Sequence, residues 1–284
     1  CINLHQKMRR HRKLISKKRY TAPFAIWVIA GTVIPILTIA YYGITNRNGA
    51  FTFENITAMF NSQHLEALGM SLLLSVVSTV VCLVLAFPMA LILRESRFGK
   101  QGFMIFVFIL PMWMNFLLRT MAWQVLLERQ GVINAVLTSI GLNRQEMMGT
   151  PGAVVLGMVY DFLPFMVLPI YNVVSKIDNR LIEAAYDLGA GKFYVFRRVI
   201  FPLSIPGIAS GVTMVFIPAL TTFVISNMLG GGKVNLIGNI IEQEFTVNSN
   251  WYLGSGLSLV MMAFIIVSML IVQKFSDGEE EHLL

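Results

Sequence analysis

Two side chains stand out because their surroundings make them costly. Arg119 and Asp161 are the charged residues inside six long apolar stretches, and a charge in a bilayer costs from about 2.5 kcal/mol upward. Asp161 falls near the middle of its stretch, between Tyr160 and Phe162, with Pro164 and Pro169 following. A carboxylate beside aromatic faces suits an ammonium cation, through direct attraction and cation–π contact. Prolines loosen a helix where its backbone lines a cavity. Asp161, Tyr160 and Phe162 are therefore candidate pathway residues, with Trp113, Asn115 and Trp123 as weaker lining candidates, since membrane tryptophans more often pack or anchor. The alternative is that Asp161 pairs with Arg119 or a buried polar group and only fixes helix packing. Arg119 lies roughly 24 Å along its stretch by helix rise, so it is expected to snorkel to the outer interface. A direct pair would require the two helices to be offset.

Other chemistry finds no footing. His5, His11, His64 and His282 lie outside the apolar stretches without metal-ligand spacing. Cys1 and Cys82 suit neither a disulfide framework nor a thiolate site. Gly230–Gly232 is not closed by Gly-Lys-Ser or Gly-Lys-Thr, so it reads as a turn and not a phosphate loop. The sequence offers no catalytic residue, no metal site and no nucleotide site of its own.

The elements that hold these residues follow from composition. Of 284 residues, 56% are hydrophobic and only 13% charged, too few charges to cover a soluble globule of this size. A helix needs about 20 apolar residues to cross hydrocarbon about 30 Å thick. The stretches Pro23–Tyr42, Ala67–Leu93, Phe103–Leu127, Ala153–Tyr171, Phe201–Leu229 and Trp251–Val272 meet that need, and none alternates as a barrel strand would. The expectation is an all-α polytopic membrane protein with six transmembrane helices. Pro202, Pro206 and Pro218 argue that the fifth is broken.

Lys and Arg collect in residues 1–20, in the second loop (Arg94, Arg97, Lys100) and in the fourth (Lys176, Arg180, Lys192, Arg197, Arg198). The other loops hold Arg47, Arg129, Arg144 and Lys233. This asymmetry predicts that both termini are cytoplasmic. The basic N-terminal segment reads as a topology signal resting on anionic lipid, with no nucleic-acid partner. The first stretch is too long for a cleaved signal and is expected to stay. The resulting layout is residues 1–20 as a basic segment, 21–66 as the first helix and outer loop, 67–272 as a five-helix core with an inner loop at 175–200, and 273–284 as a tail.

That inner loop is too patterned for a connector. Asp178 or Asn179 can cap a helix whose Leu181, Ala184, Ala185 and Leu188 share one face, and Gly189 ends it. Two central alanines let a partner approach closely. Glu183 and Asp187, four apart, repel by roughly 0.2 to 0.5 kcal/mol unless a cation lies nearby, which suggests either a basic partner or a solvated interfacial helix.

Glu183-Ala184-Ala185, then Gly189, then Val199-Ile200-Phe201-Pro202 resembles the EAA loop of ABC importer permeases, with Val and Phe replacing the usual Ile and Leu. The likeness runs from about Leu68 to Leu270. Leu163-Pro164-Phe165-Met166, Asp187-Leu188-Gly189-Ala190, Gly230-Gly231-Gly232-Lys233 and Leu236-Ile237-Gly238-Asn239 are similar to the spermidine/putrescine subfamily. The resemblance implies a type I ABC importer permease fold in which Glu183, Ala184, Ala185, Asp187, Leu188 and Gly189 couple to an ATPase. It further implies a second homologous permease, two copies of the cytoplasmic ATPase that binds ATP, an extracytoplasmic substrate-binding protein, and a polyamine solute. Another small solute on the same scaffold, or a self-contained secondary transporter, are the alternatives.

Overall fold

The computed structural model describes residues 23–96, 106 and 110–280, with side chains as far as 274. Its long helices are α1 (Pro23–Gly43), α2 (Ser62–Glu95), α5 (Pro151–Val174), α7 (Lys192–Thr221) and α10 (Trp251–Glu280). Among the described residues these five are long and apolar enough to cross a membrane. Shorter helices are α3 (Phe116–Leu127), α4 (Val132–Ser139), α6 (Asn179–Asp187), α8 (Val224–Leu229) and α9 (Ile237–Thr246). The basic residues 1–20, together with Arg97 and Lys100, lie outside the described part. The final helix runs past Val272 to Glu280, so much of the expected tail is helical.

The third apolar stretch departs from expectation. Part of it lies outside the described residues, and the rest is not one helix. A 3-10 turn at Leu110–Trp113 gives way at Met114 and Asn115 before α3 begins. Asn115 has an extended ψ of 128°, and its side-chain oxygen accepts from the Leu117 and Leu118 amides at 2.8 and 3.4 Å. An asparagine cap of this kind starts a helix and does not continue one. Hydropathy alone passes over it.

The core is a slab of α2, α5 and α7. Ser71, Ser75, Ser78, Cys82, Ala86 and Ala90 form a fully buried stripe down α2. Val154, Met158, Met166, Ile170 and Val174 face it from α5. On α7 the buried line is Ser204, Gly207, Gly211, Val215 and Ala219. Lipid supplies no hydrophobic drive between helices, so close packing of small residues has to hold them together. A Cβ on Gly211 would lie 2.7 Å from the Met166 sulfur, and one on Gly207 would lie 3.0 Å from the Pro169 carbonyl oxygen. α1 packs outside the slab against α10, with Tyr42 and Tyr252 edge to face at 5.3 Å. The rest of α1 is exposed, as a lipid-facing helix would be.

Prolines shape the helices locally. π turns at Ile29–Val33 and Phe196–Ile200 each sit just ahead of a proline, Pro35 and Pro202, which has no N–H to close an i→i−4 bond. The fifth stretch is broken as expected. The break falls at Thr222 and Phe223, four residues beyond Pro218, where Thr222 turns extended with ψ 138°. Filling the α5–α7 contact is the direct test of the slab. Gly211→Leu should cost about 1–3 kcal/mol by overpacking, read as a lower unfolding midpoint of the purified chain, whereas Gly31→Leu, whose Cβ would meet nothing within 4 Å, should leave the midpoint unchanged.

Candidate functional site

α6 forms where the sequence places it. Asp178 is the N-cap, its carboxylate accepting from the Arg180 amide at 2.9 Å. Gly189 carries φ +81°, a conformation that glycine adopts without strain, and its amide closes the end on the Tyr186 carbonyl at 2.8 Å. The predicted face has no partner within the chain. Leu181 is 52% exposed, Leu188 is 89% exposed, Ala184 is exposed and Ala185 half-buried. An amphipathic helix that leaves its leucines open presents a docking face. Glu183 and Asp187 are also exposed, and among the described residues no cation stands within ion-pairing distance of either. The Arg94 guanidinium, at the end of α2, donates to the Ile177 carbonyl at 3.0 Å and to the Asn179 side-chain oxygen at 2.7 Å. That contact ties the start of α6 to the slab.

Asp161 and Arg119 come together. Arg119 Nε lies 3.4 Å from Asp161 Oδ1, with the two side chains 6% and 1% exposed. The Thr120 hydroxyl, with one proton to donate, lies 3.0 Å from the Phe116 carbonyl oxygen and 3.3 Å from Asp161 Oδ2 and shares it between them. The expectation that Arg119 snorkels outward is therefore corrected. It assumed an unbroken helix from Phe103, whereas α3 starts at Phe116 and puts Arg119 in its first turn, beside α5. The pair is loosely made: Arg119 Nε and Nη1 and Asp161 Oδ1 are buried without a hydrogen-bond partner.

The neighbouring candidates divide. Phe162 is buried beside Asp161, whereas Tyr160 is 40% exposed and meets Trp123 edge to face at 5.4 Å. Trp113 is 75% exposed and contacts Phe106 at 6.0 Å between ring centroids. Asn115 serves as the α3 cap. The sequence reading did not single out Thr120; a hydroxyl next to the sole arginine of an apolar stretch was the available signal.

A buried guanidinium stripped of its carboxylate is the state to avoid, and removing one partner of such a pair typically costs about 3–5 kcal/mol. Asp161→Ala should thus lower the unfolding midpoint sharply. Adding Arg119→Met to it should recover most of the loss, and a double variant no better than the single one would show that the pair does not bind α3 to α5.

Residues 56–278 match the family described as binding-protein-dependent transport system inner membrane component, and the chain belongs to that family. It is a membrane permease subunit of an ABC importer and not the ATPase, which sets aside the self-contained secondary transporter. The chain is 37% identical over 268 residues to the spermidine/putrescine transport system permease protein PotB of Haemophilus influenzae, covering 89% of this chain and 94% of that one. It is 34% identical over 258 residues to PotB of Escherichia coli, covering 88% and 94%. Among solved structures it superposes on a chain of a bacterial ABC transporter involved in the import of the acidic polysaccharide alginate, with TM-score 0.79 and 18% identity over 97% of this chain and 99% of that one. An inward-facing chain of the MetNI methionine ABC transporter gives TM-score 0.56 and 16% identity over 76% and 95%.

Proposed function

We propose that this chain is the permease subunit of an ATP-driven importer for polyamines of the spermidine/putrescine class. The single observation that carries the coupling half of this reading is the open apolar face of α6, capped by Asp178 and stopped by Gly189. In this reading α6 lies on the cytoplasmic side, in a groove of a separate ATPase that binds ATP, with Glu183 and Asp187 meeting basic residues there. A second homologous permease pairs with this one, each engages one of two ATPase copies, and an external binding protein delivers the solute. Alternating access then follows from ATPase closure moving α6.

The substrate half rests on the two PotB relatives and on the chemistry of the α3–α5 contact, because the alginate and methionine importers show that the fold leaves the ligand open. Tyr160 and Trp123 offer aromatic faces to a passing ammonium. Asp161 stands behind them as a counter-ion that Arg119 neutralises when the helices are closed, and its unbonded oxygen is the atom an ammonium would take when they part. Trp113 and Asn115, at the interruption ahead of α3, border the same route.

Reconstituted complex, assayed for labelled spermidine uptake and ATP hydrolysis together, tests both halves. Gly189→Pro, which forbids the positive φ, should reduce spermidine moved per ATP by about fivefold or more, the scale of an allosteric coupling; unchanged uptake would remove α6 from coupling. In the same assay Asp161→Asn, which keeps the shape and drops the charge, should slow uptake about tenfold if the carboxylate is met only during passage. Normal uptake by Asp161→Asn would leave that residue a packing role alone.

A further inference from the structure

The segment after the helix break forms a second site that the reading above does not use. Ser226 donates to the Val234 carbonyl at 2.5 Å, and the Ile237 amide donates to Ser71 of α2 at 2.8 Å. Asn239, 2% exposed, accepts from the Leu236 amide at 2.9 Å and donates to the Phe223 carbonyl at 3.1 Å and the Asn227 side-chain oxygen at 2.5 Å. These bonds hold α9 against the first turns of α2. Between them lies a cavity of about 230 Å³ whose polar lining is Gln63, Glu66, Lys233, Asn235, Asn239 and Gln243.

Its position is fixed by α2. Arg94 at one end of that helix touches the start of α6, and Glu66 lies in its opening turns at the other. A helix of 34 residues spans roughly 51 Å against a hydrocarbon thickness of about 30 Å. With α6 on the cytoplasmic side, as proposed above, the cavity sits at the outer face, at head-group level or beyond, where a carboxylate is tolerated and a delivered solute arrives first.

We infer that this cavity is an outer subsite for one ammonium end of a linear polyammonium solute, held by the Glu66 carboxylate. This rests on the polyamine reading and adds the place where the solute is first held by the permease. Glu66 and Lys233 share the cavity, yet no ion pair joins them or joins either to another described residue. An ammonium has three donors and no acceptor, and Gln63, Asn235 and Gln243, which line the same cavity, each carry a side-chain oxygen able to accept. Lys233 is the competing cation, its stem 3.3 Å from where a Cβ on Gly149 would lie, and it favours release. Asn239 also lines the cavity, and its bond to the Phe223 carbonyl links that lining to the break in the fifth stretch. The larger cavity, about 470 Å³, is lined mainly by Phe223, Ile237, Ile241, Phe245, Met261 and other apolar side chains, and its one carboxylate, Glu242, already accepts from Thr246 at 2.9 Å. It suits an ammonium poorly.

Equilibrium binding of labelled spermidine to the assembled complex in lipid nanodiscs, without binding protein, tests the assignment. Glu66→Gln should weaken binding about tenfold, the size of one charge-assisted contact, Glu66→Asp should retain most of it, and Lys233→Met should tighten it. A general loss of structure moves both positions the same way, so the opposite signs separate a binding role from a structural one. Binding unaffected by Glu66→Gln, in a complex that imports spermidine into liposomes, overturns the subsite alone. Spermidine binding that Glu66→Gln strengthens or Lys233→Met weakens overturns the role given to the Glu66 carboxylate. A wild-type complex that neither imports nor binds polyamine overturns this inference together with the function on which it rests.

Discussion

Hydrocarbon offers a backbone no hydrogen bonds, so each interruption of a helix in this chain has to be satisfied by the protein itself. The structure is organised around that demand. Asn115 caps the restart ahead of α3, and Asn239, Ser226 and Ser71 bind the chain beyond the break at Thr222 and Phe223. Asn134, fully buried in α4, does the same for the chain on either side of that helix, bonding to the Glu128 and Gln145 carbonyls and the Gln145 amide. At these breaks, asparagine and serine side chains are the means by which non-helical backbone is tolerated beside a membrane.

Between the breaks, a different constraint sets the packing. Serine, alanine and glycine lines on α2 and α7 let both helices close on α5, and Gly157 on α5 leaves room for Leu229 and Ile225 of α8. Small residues bring backbones close and leave few ways to repack, so the slab behaves as one body. α3 joins it differently, through the Arg119–Asp161 pair and Thr120. In a low-dielectric interior an ion pair is strong only with its remaining donors and acceptors filled, and here three of those atoms are not. The α3 attachment is thus specific in register and weak in net energy, unlike the slab.

How much of this was legible in the sequence depends on the range of the interaction involved. α6 was readable down to its cap and its stop, since Asp178, Gly189 and the Leu181–Leu188 face act within a few residues. The broken fifth stretch was signalled by its prolines, although the break itself lies where Asn239, sixteen positions away, supplies a donor to the Phe223 carbonyl. Arg119 was misplaced because hydropathy counts Asn115 as one polar residue in an apolar run and cannot register that its side chain starts a new helix. Once α3 begins there, the distance measured along a continuous span no longer applies, and the offset needed for pairing with Asp161 is built in. The polar cavity beside Glu66 was illegible for a related reason: α2 and α9 supply its walls, and nothing local marks Glu66 as different from any exposed glutamate.

These attachments define what can move against what. α6 is joined covalently to α5 and to α7 and is held to α2 through Arg94, so a force on it reaches all three slab helices at once. The slab is closely packed, so in the proposed cycle it would move as a unit. In the proposed cycle relative motion is expected where the helices are interrupted: at α3, attached by a loosely bonded pair behind an interruption, and at α8 and α9, which follow the extended residue Thr222 after α7. Both lie away from α6, one beside the Asp161 carboxylate and the other beside the outer cavity. In the proposed cycle, the small contact that would receive the mechanical input and the places that would open are separated by the closely packed slab. If α6 docks on the ATPase as proposed, that separation would let hydrolysis on one side of a membrane act on a solute held at the other without either site touching its counterpart.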